Sequence, residues 1–488
     1  MNKDIVMDNK WVVDIAIIGT GTAGMAAYRE AIKFTKNIVL LEANTYGTTC
    51  ARVGCMPSKL LIAPAHVCHK VKSMPTLGLQ VGPVSIDGQA VMRRVRDERD
   101  RFVRFVKEAV AGFDASHLVQ QRVKFNSDHE LILADGRIIQ AERIIIATGS
   151  RPYIPDELQA AGSRLMTNDD VFDWKDLPQS IAVFGAGVIG LELGQALHRL
   201  GVNVELFGRN NAISLITDLD INRYVVQTFQ REFTFHTHAD ISAITEKKDH
   251  VEVRFHNAEN ENVEQVRCFK YILAATGRIA NVDGLGLETT TLALNHRGVP
   301  LYDPLSMRCG DSNIFIAGDA CGDLPLLHEA ADEGKLAGQN AGRFPEVFKQ
   351  QRYVPLGIAF TDPQLAVIGQ SYRQLSEGSL AFKIGRVLFE DQGRSRVMLV
   401  NKGVLHVYGE CGTGRLLGAE VFGPNAEHLA HLLAWSIQSH FTVIDILHMP
   451  FYHPVIEEGL RSALRDLLHN LQMGPLPPAR CIDCGVGA

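Results

Sequence analysis

Cys50 and Cys55 stand five residues apart in Cys50-Ala-Arg-Val-Gly-Cys55-Met-Pro-Ser-Lys59. Two thiols at that spacing near a helix start close a disulfide if the turn between them is distorted. A helix N-terminus and a nearby cation lower a thiol's pKa and stabilise the thiolate that reduction leaves. With Gly54, Pro57 and Lys59 around them, the pair points to dithiol–disulfide exchange rather than to packing cysteines. Far along the chain stands His453-Pro-Val-Ile-Glu-Glu458. A thiol must lose a proton before it attacks a disulfide, and imidazole is the natural base near neutral pH. A carboxylate such as Glu458 holds the imidazole's tautomer. Pro454, expected at a helix start, fixes the backbone between them.

Dithiol chemistry needs an electron carrier, and two glycine turns have the form of a nucleotide seat. Gly19-Thr-Gly21-Thr-Ala-Gly24 follows an apolar run and opens a helical pattern, and Glu42 ends the next apolar run. Such a turn brings backbone close to a pyrophosphate, the helix end supplies N–H groups, and the acid accepts from a ribose. Gly185-Ala-Gly187-Val-Ile-Gly190 repeats the arrangement, but its second run ends in Phe207-Gly208-Arg209 without an acid. An arginine in place of a carboxylate suits a 2′-phosphate, so NADP is favoured and NAD is possible.

These turns belong to a larger unit that occurs twice. The first copy runs from Asp14 to Ile144-Ile-Ile-Ala-Thr148-Gly149, the second from Ile181 to Ile272-Leu-Ala-Ala-Thr276-Gly277. Asn313 to Asp319 reads as a further buried strand ending in an acid, and Leu326–Ala341 has helical periodicity. Alternation in Ala381–Leu388, Arg396–Val400 and Val404–Tyr408 predicts antiparallel strands, with helices over Glu427–Gln438 and Ile456–Leu471. The expected class is α/β: two Rossmann-like dinucleotide-binding domains and a C-terminal α+β domain. The expected boundaries are 1–150 and 278–345 for the first domain, 151–277 for the second, 346–472 for the third and 473–488 for a tail.

The 488 residues call for several domains, and 46% hydrophobic with 21% charged residues describes a folded chain. A net charge of −6 without long basic runs argues against nucleic acid or an anionic membrane as partner. The run Val12–Ile18 is too short to span a bilayer and leads into a glycine turn, so a cytoplasmic location is expected. There, a disulfide among nine cysteines is catalytic rather than structural. Cys481-Ile-Asp-Cys484 fits an inert tail, a redox shuttle or half a metal site. Cys68, Cys268, Cys309, Cys321 and Cys411 show no pairing pattern. No resident metal is expected.

From Asp14 to about Leu468 the chain resembles the class I pyridine nucleotide–disulfide oxidoreductases, the family of dihydrolipoamide dehydrogenase, glutathione reductase and mercuric reductase. Gly47-Thr-Thr-Cys50…Gly54-Cys55-Met-Pro-Ser-Lys59 resembles the family's Gly-Gly-Thr-Cys-x4-Gly-Cys-x-Pro-Ser-Lys, with Thr48 for the second glycine. Ala275-Thr-Gly-Arg278-Ile-Ala280-Asn281 and Phe360-Thr-Asp-Pro363-Gln364 resemble two further motifs, with Ala280 for proline and Gln364 for glutamate. His453-Pro-Val455 resembles His-Pro-Thr. The resemblance implies FAD for the first domain, NAD(P) for the second and dimerisation for the third, with Cys55 beside the flavin of FAD and Cys50 meeting the substrate. It implies that Lys59 approaches flavin N5 and pairs with Glu192, and that Gly318-Asp319 holds the ribitol chain. Thr49, Thr148, Gly149 and Gly277 complete the implied nucleotide contacts. In this family the histidine serves the other subunit's disulfide, so a homodimer with a shared active site is implied.

The resulting expectation is an FAD-dependent oxidoreductase most like dihydrolipoamide dehydrogenase, acting on a lipoyl group or another small thiol or disulfide. An NADPH-dependent reductase of glutathione or another small disulfide is the main alternative, favoured by Arg209. Mercuric reductase is disfavoured by His453. A transhydrogenase would need no cysteine pair, and a structural subunit of an acyltransferase complex would not need all these groups. A metal-handling or binding protein on the same scaffold would tolerate loss of Cys50.

Overall fold

A computed structural model describes residues 10–209, 213, 215–257 and 263–474. None of its helices is long and apolar enough to cross a membrane. The chain forms two compact units, one from Met1–Pro57, Arg94–Tyr153 and Arg278–Arg352, the other from Ser58–Arg93, Ile154–Gly277 and Tyr353–Ala488.

In the first unit, unbroken apolar runs such as Ile38–Leu41 and Ile144–Ile146 form strands buried on both faces, as central parallel strands require. Lys10–Ile18 lies between Ile38–Leu41 and Ile138–Ile146, parallel to both. Leu118–Val119 extends the sheet beyond Ile38–Leu41. Ile314–Ile316 pairs in parallel with the last residues of Ile138–Ile146, whose first residues carry an antiparallel hairpin, Val123–Ser127 and Glu130–Leu133. Gly19, Glu42, Ala147 and Ala317 follow the carboxyl ends of four parallel strands, the edge where open α/β sheets bind ligands. The strand expected to reach Asp319 stops at Ile316, and Gly318–Cys321 is a 3₁₀ turn.

Among the described residues, the second unit contains three sheets. Five parallel strands run in the order Thr234–His236, Asn203–Phe207, Ser180–Phe184, Tyr271–Ala274 and Leu165–Met166. Ala239–Glu246, Val251–Asn257 and Gln265–Phe269 form an antiparallel sheet. The last sheet orders Leu356–Ala359, Gln364–Gly369, Leu416–Gly423, Val404–Glu410 and Phe382–Leu388, all antiparallel. Helices Ala426–Gln438 and Glu457–Leu471 share its core through Leu429, Leu433, Leu460 and Leu464. Arg396–Val400 is not a strand: Gln392 caps a helix over Gly393–Val397, its side chain accepting from Ser395 N at 2.7 Å. The two parallel sheets and the C-terminal α+β layer are the expected fold class.

Candidate active site

The first glycine turn is shaped by close backbone approach. Gly19 sits at φ +111°, and a Cβ there would lie 2.3 Å from the carbonyl oxygen of Ala147. Gly185 repeats this at φ +109°, 2.3 Å from that of Ala275, so both nucleotide units share one backbone solution. Gly21 caps the helix Thr22–Ala31 without a side-chain bond, and no atom stands within 4 Å of where its Cβ would be. The Oγ1 of Thr148 is buried with no hydrogen-bond partner. Uncapped helix N–H groups, open space above them and an unpaired buried hydroxyl fit the phosphates and sugar of a dinucleotide. Glu42 is engaged at the same edge: Oε2 accepts from Thr20 N and Oγ1 at 2.9 and 2.7 Å, and Oε1 from Asn44 N at 3.0 Å. Asp319 accepts from Ser150 Oγ at 2.6 Å, which itself accepts from Arg278 Nε at 2.8 Å.

The cysteine segment forms two helices rather than one. Thr48 caps Thr49–Val53 by accepting from Ala51 N, which places Cys50 in the first turn, and Cys55 opens Cys55–Ser73. Gly54 lies between them, folded back so far that a Cβ there would be 3.2 Å from Cys50 Cα and from Thr49 O. The break is the distortion that the spacing required. Cys50 is half-buried and Cys55 exposed, and each stands at the start of a helix.

Lys59 lies one turn further along Cys55–Ser73 and meets Glu192, from the helix Val188–Arg199 that follows the second glycine turn. Its ammonium is 3.0 and 2.8 Å from the two carboxylate oxygens. Glu192 is buried, and leaving it unpaired there would cost about 3 kcal/mol or more. Gly187 caps that helix without a side-chain bond. Arg209 lies two residues past the strand that ends at Phe207 and is 75% exposed, with Nη2 bonded to Glu157 at 2.5 Å. Gly149 and Gly277 both take positive φ, after the first and second Ala-Thr.

His453 and Glu458 are brought together. The ring nitrogen Nδ1 is 3.1 Å from each oxygen of Glu458. Glu458 is 2% exposed while His453 is 51% exposed, so the carboxylate is sheltered and the imidazole faces outward. Pro454 does not open the helix, which begins at Glu457, and the His453–Pro454 peptide is cis. Cys481 and Cys484 lie outside the described residues. Among those described, no group of three or more His, Cys, Asp or Glu residues is arranged to hold a metal ion.

Residues 13–334, more than half of the chain, match the pyridine nucleotide-disulphide oxidoreductase family. The chain belongs to that family. Residues 356–464 match its dimerisation domain, which supports a homodimer. The dihydrolipoyl dehydrogenase of Chlamydia pneumoniae is 29% identical over 95% of this chain and 98% of its own. The mitochondrial dihydrolipoyl dehydrogenase of Sus scrofa is 28% identical over 92% and 89%. Among solved structures, LpdA from Mycobacterium tuberculosis superposes with a TM-score of 0.78 at 23% identity, covering 93% of this chain and 99% of its own. The flavoprotein disulfide reductase RclA from Escherichia coli does so at 0.76 and 20% identity, over 93% and 99%. These two show the shared fold. This oxidoreductase is a flavoprotein disulfide reductase that uses FAD and a pyridine nucleotide.

Three further contacts of the oxidoreductase adjoin these residues, and none was read from the sequence, although Phe360 stood in a family motif there. Arg461 Nη2 donates to Glu458 Oε1 at 3.2 Å, and its i,i+3 spacing from Glu458 was the available signal. Phe360 donates its backbone N–H to Glu192 Oε1 at 2.8 Å, and its ring centroid is 4.5 Å from Lys59 Nζ. Ser150 reaches Asp319, a contact between distant segments that no spacing announces.

Proposed function

We propose that the enzyme exchanges electrons between a small dithiol and a pyridine nucleotide through Cys50 and Cys55, with a dihydrolipoyl group as the dithiol. The observation that carries this reading is the His453–Glu458 pair, whose Nδ1 contact at 3.1 Å holds one tautomer and leaves Nε2 to take a proton. A transhydrogenase would need neither that pair nor the two thiols. In the oxidising direction His453 takes a proton from the substrate thiol, and the resulting thiolate attacks Cys50 of the Cys50–Cys55 disulfide. The bond to Cys55 breaks and Cys55 leaves as a thiolate holding the electron pair. The second substrate thiol then closes on the first sulfur, and Cys50 is released as the other thiol of the reduced pair. Two electrons and two protons have left the substrate. Bound FAD would supply the two-electron chemistry linking the reduced pair to the nicotinamide, the two electrons and one proton of the pair leaving as hydride and the second proton going to solvent.

Gly19, Gly21, Gly24, Thr148, Gly149, Gly318 and Asp319 are the residues proposed to hold FAD, with Glu42 and Thr49 beside them. Lys59, kept in place by Glu192, supplies a cation to the flavin. Gly185, Gly187, Gly190 and Gly277 are proposed for the nicotinamide nucleotide. His453 is proposed to serve the disulfide of the second subunit. A second reading, NADPH-driven reduction of a small disulfide such as glutathione disulfide, is favoured by Arg209, whose exposed guanidinium would exchange Glu157 for a 2′-phosphate.

Anaerobic reduction of the FAD-loaded protein by NADH and by NADPH, followed by lipoamide or glutathione disulfide, tests both readings through flavin absorbance. Reoxidation by lipoamide is expected. Faster reduction by NADPH, lost in Arg209→Leu, assigns Arg209 to the phosphate, whereas faster reduction by NADH removes that assignment. Reoxidation by glutathione disulfide alone replaces the first reading with the second.

A further inference from the structure

Glu192, Gln195 and Arg199 recur at i, i+3 and i+7 along the helix Val188–Arg199, and so lie on one face. All three are buried. Three polar residues in a buried stripe need partners, and the segment Phe360–Asp362 provides them. Gln195 uses both ends of its amide on one residue: Oε1 accepts from Asp362 N and Nε2 donates to Asp362 O, each at 2.8 Å. Arg199 donates to Asp362 Oδ2 at 2.8 Å and again to Asp362 O at 3.0 Å. Behind them Glu232 anchors both side chains, accepting from Arg199 Nε at 2.5 Å and from Gln195 Nε2 at 2.8 Å.

Four bonds to one residue fix the orientation of its peptides as well as its distance from the helix. Two residues upstream, that orientation is used. Phe360 presents its N–H to Glu192 Oε1 and its ring face to the Lys59 ammonium. Lys59 is therefore held by a carboxylate and an aromatic face, and both depend on the path of the same short segment.

We propose that Gln195 and Arg199 are positioning residues for Lys59, setting the place of its ammonium through the Phe360–Asp362 segment. The proposal rests on the reading of Lys59 as the cation beside the flavin. A cation there favours the added negative charge of the reduced cofactor, so a misplaced ammonium weakens reduction.

The test compares FAD-loaded parent, Gln195→Met, Phe360→Leu, Arg199→Met and Lys59→Met proteins, measuring the flavin reduction equilibrium and the rate of Lys59 acetylation by peptide mass spectrometry. Gln195→Met and Phe360→Leu are expected to weaken reduction about tenfold, about 30 mV for a two-electron couple. Lys59 acetylation should quicken at least threefold. In a Lys59→Met background Gln195→Met should no longer shift the equilibrium, because it acts through the ammonium that is gone. Arg199→Met risks loss of folding, and the two milder variants carry the test without it. FAD-loaded variants with parental equilibrium and parental acetylation would reduce Gln195 and Arg199 to structural residues and overturn the proposal. An unchanged equilibrium in Lys59→Met alone would instead remove the reading of Lys59, while the acetylation rates would still decide whether Gln195 and Arg199 hold it.

Discussion

Gly54 has no room for a side chain. A Cβ there would press on Cys50 Cα and Thr49 O at 3.2 Å, and backbone atoms cannot swing aside as a side-chain tip can. Gly54→Ala must move Cys50 by a few tenths of an ångström relative to Cys55. Disulfide exchange requires aligned sulfurs, so the variant should keep FAD yet turn over dithiol about 10 to 100 times more slowly in stopped-flow traces. An unimpaired rate would mean that the loop relaxes around the methyl group. The residues proposed to react could be picked out of the sequence because the proposed chemistry demands their types: thiols, an imidazole, a carboxylate and a lysine. The role of Phe360 could not, because its bond to Glu192 comes from a backbone N–H, which every residue except proline has. Arg461 was obscured by its resemblance to any surface arginine on an amphipathic helix.

Helices Cys55–Ser73 and Val188–Arg199, with the turns that carry Glu232 and Asp362, supply the titratable cluster that makes the second unit sensitive to acid. Burial lifts the carboxyls of Glu232 and Asp362, but the neighbouring Arg199 guanidinium outweighs it and holds both below the usual carboxylate range. Burial also holds the imidazoles of His66 and His69 below their ordinary value, with Arg199 adding to the effect at His69. All four groups bind protons less readily folded than unfolded. Their stabilisation is complete above the unfolded values and is lost as pH falls. Melting temperature should therefore hold near pH 7 to 8 and decline below about pH 6.5 as the histidines charge. It should fall more steeply below about pH 4 as the carboxylates protonate. His66→Gln with His69→Gln should lessen the first decline, burial of His198 carrying the rest, and leave the second. The helices of this unit were legible from their periodicity, but Arg396–Val400 was misread because its alternation does not follow burial. Val397, Met398 and Leu399 are all exposed, and the cap from Gln392 decides the local structure.

At the scale of the molecule, a histidine proposed to serve the partner's disulfide gives a test that needs two inactive proteins. Cys50→Ser and His453→Gln homodimers should each be inactive or nearly so. Unfolded together and reassembled in equal amounts, they should recover about a quarter of parental activity, since half the dimers are mixed and each mixed dimer holds one intact site. No recovery would confine each site to one chain. The repeated Ala-Thr-Gly runs made the two nucleotide sheets legible, whereas the short strand Ile314–Ile316 takes its meaning from a partner strand far earlier in the chain. That strand also imposes an order on synthesis. Ile138–Ile146 emerges from the ribosome 168 residues before Ile314, and until then the last part of its outer edge has no partner. At about 5 to 20 residues per second the nascent chain carries an open, apolar sheet edge for roughly 10 to 30 seconds. In that interval the exposed edge is a place where a neighbouring chain could pair.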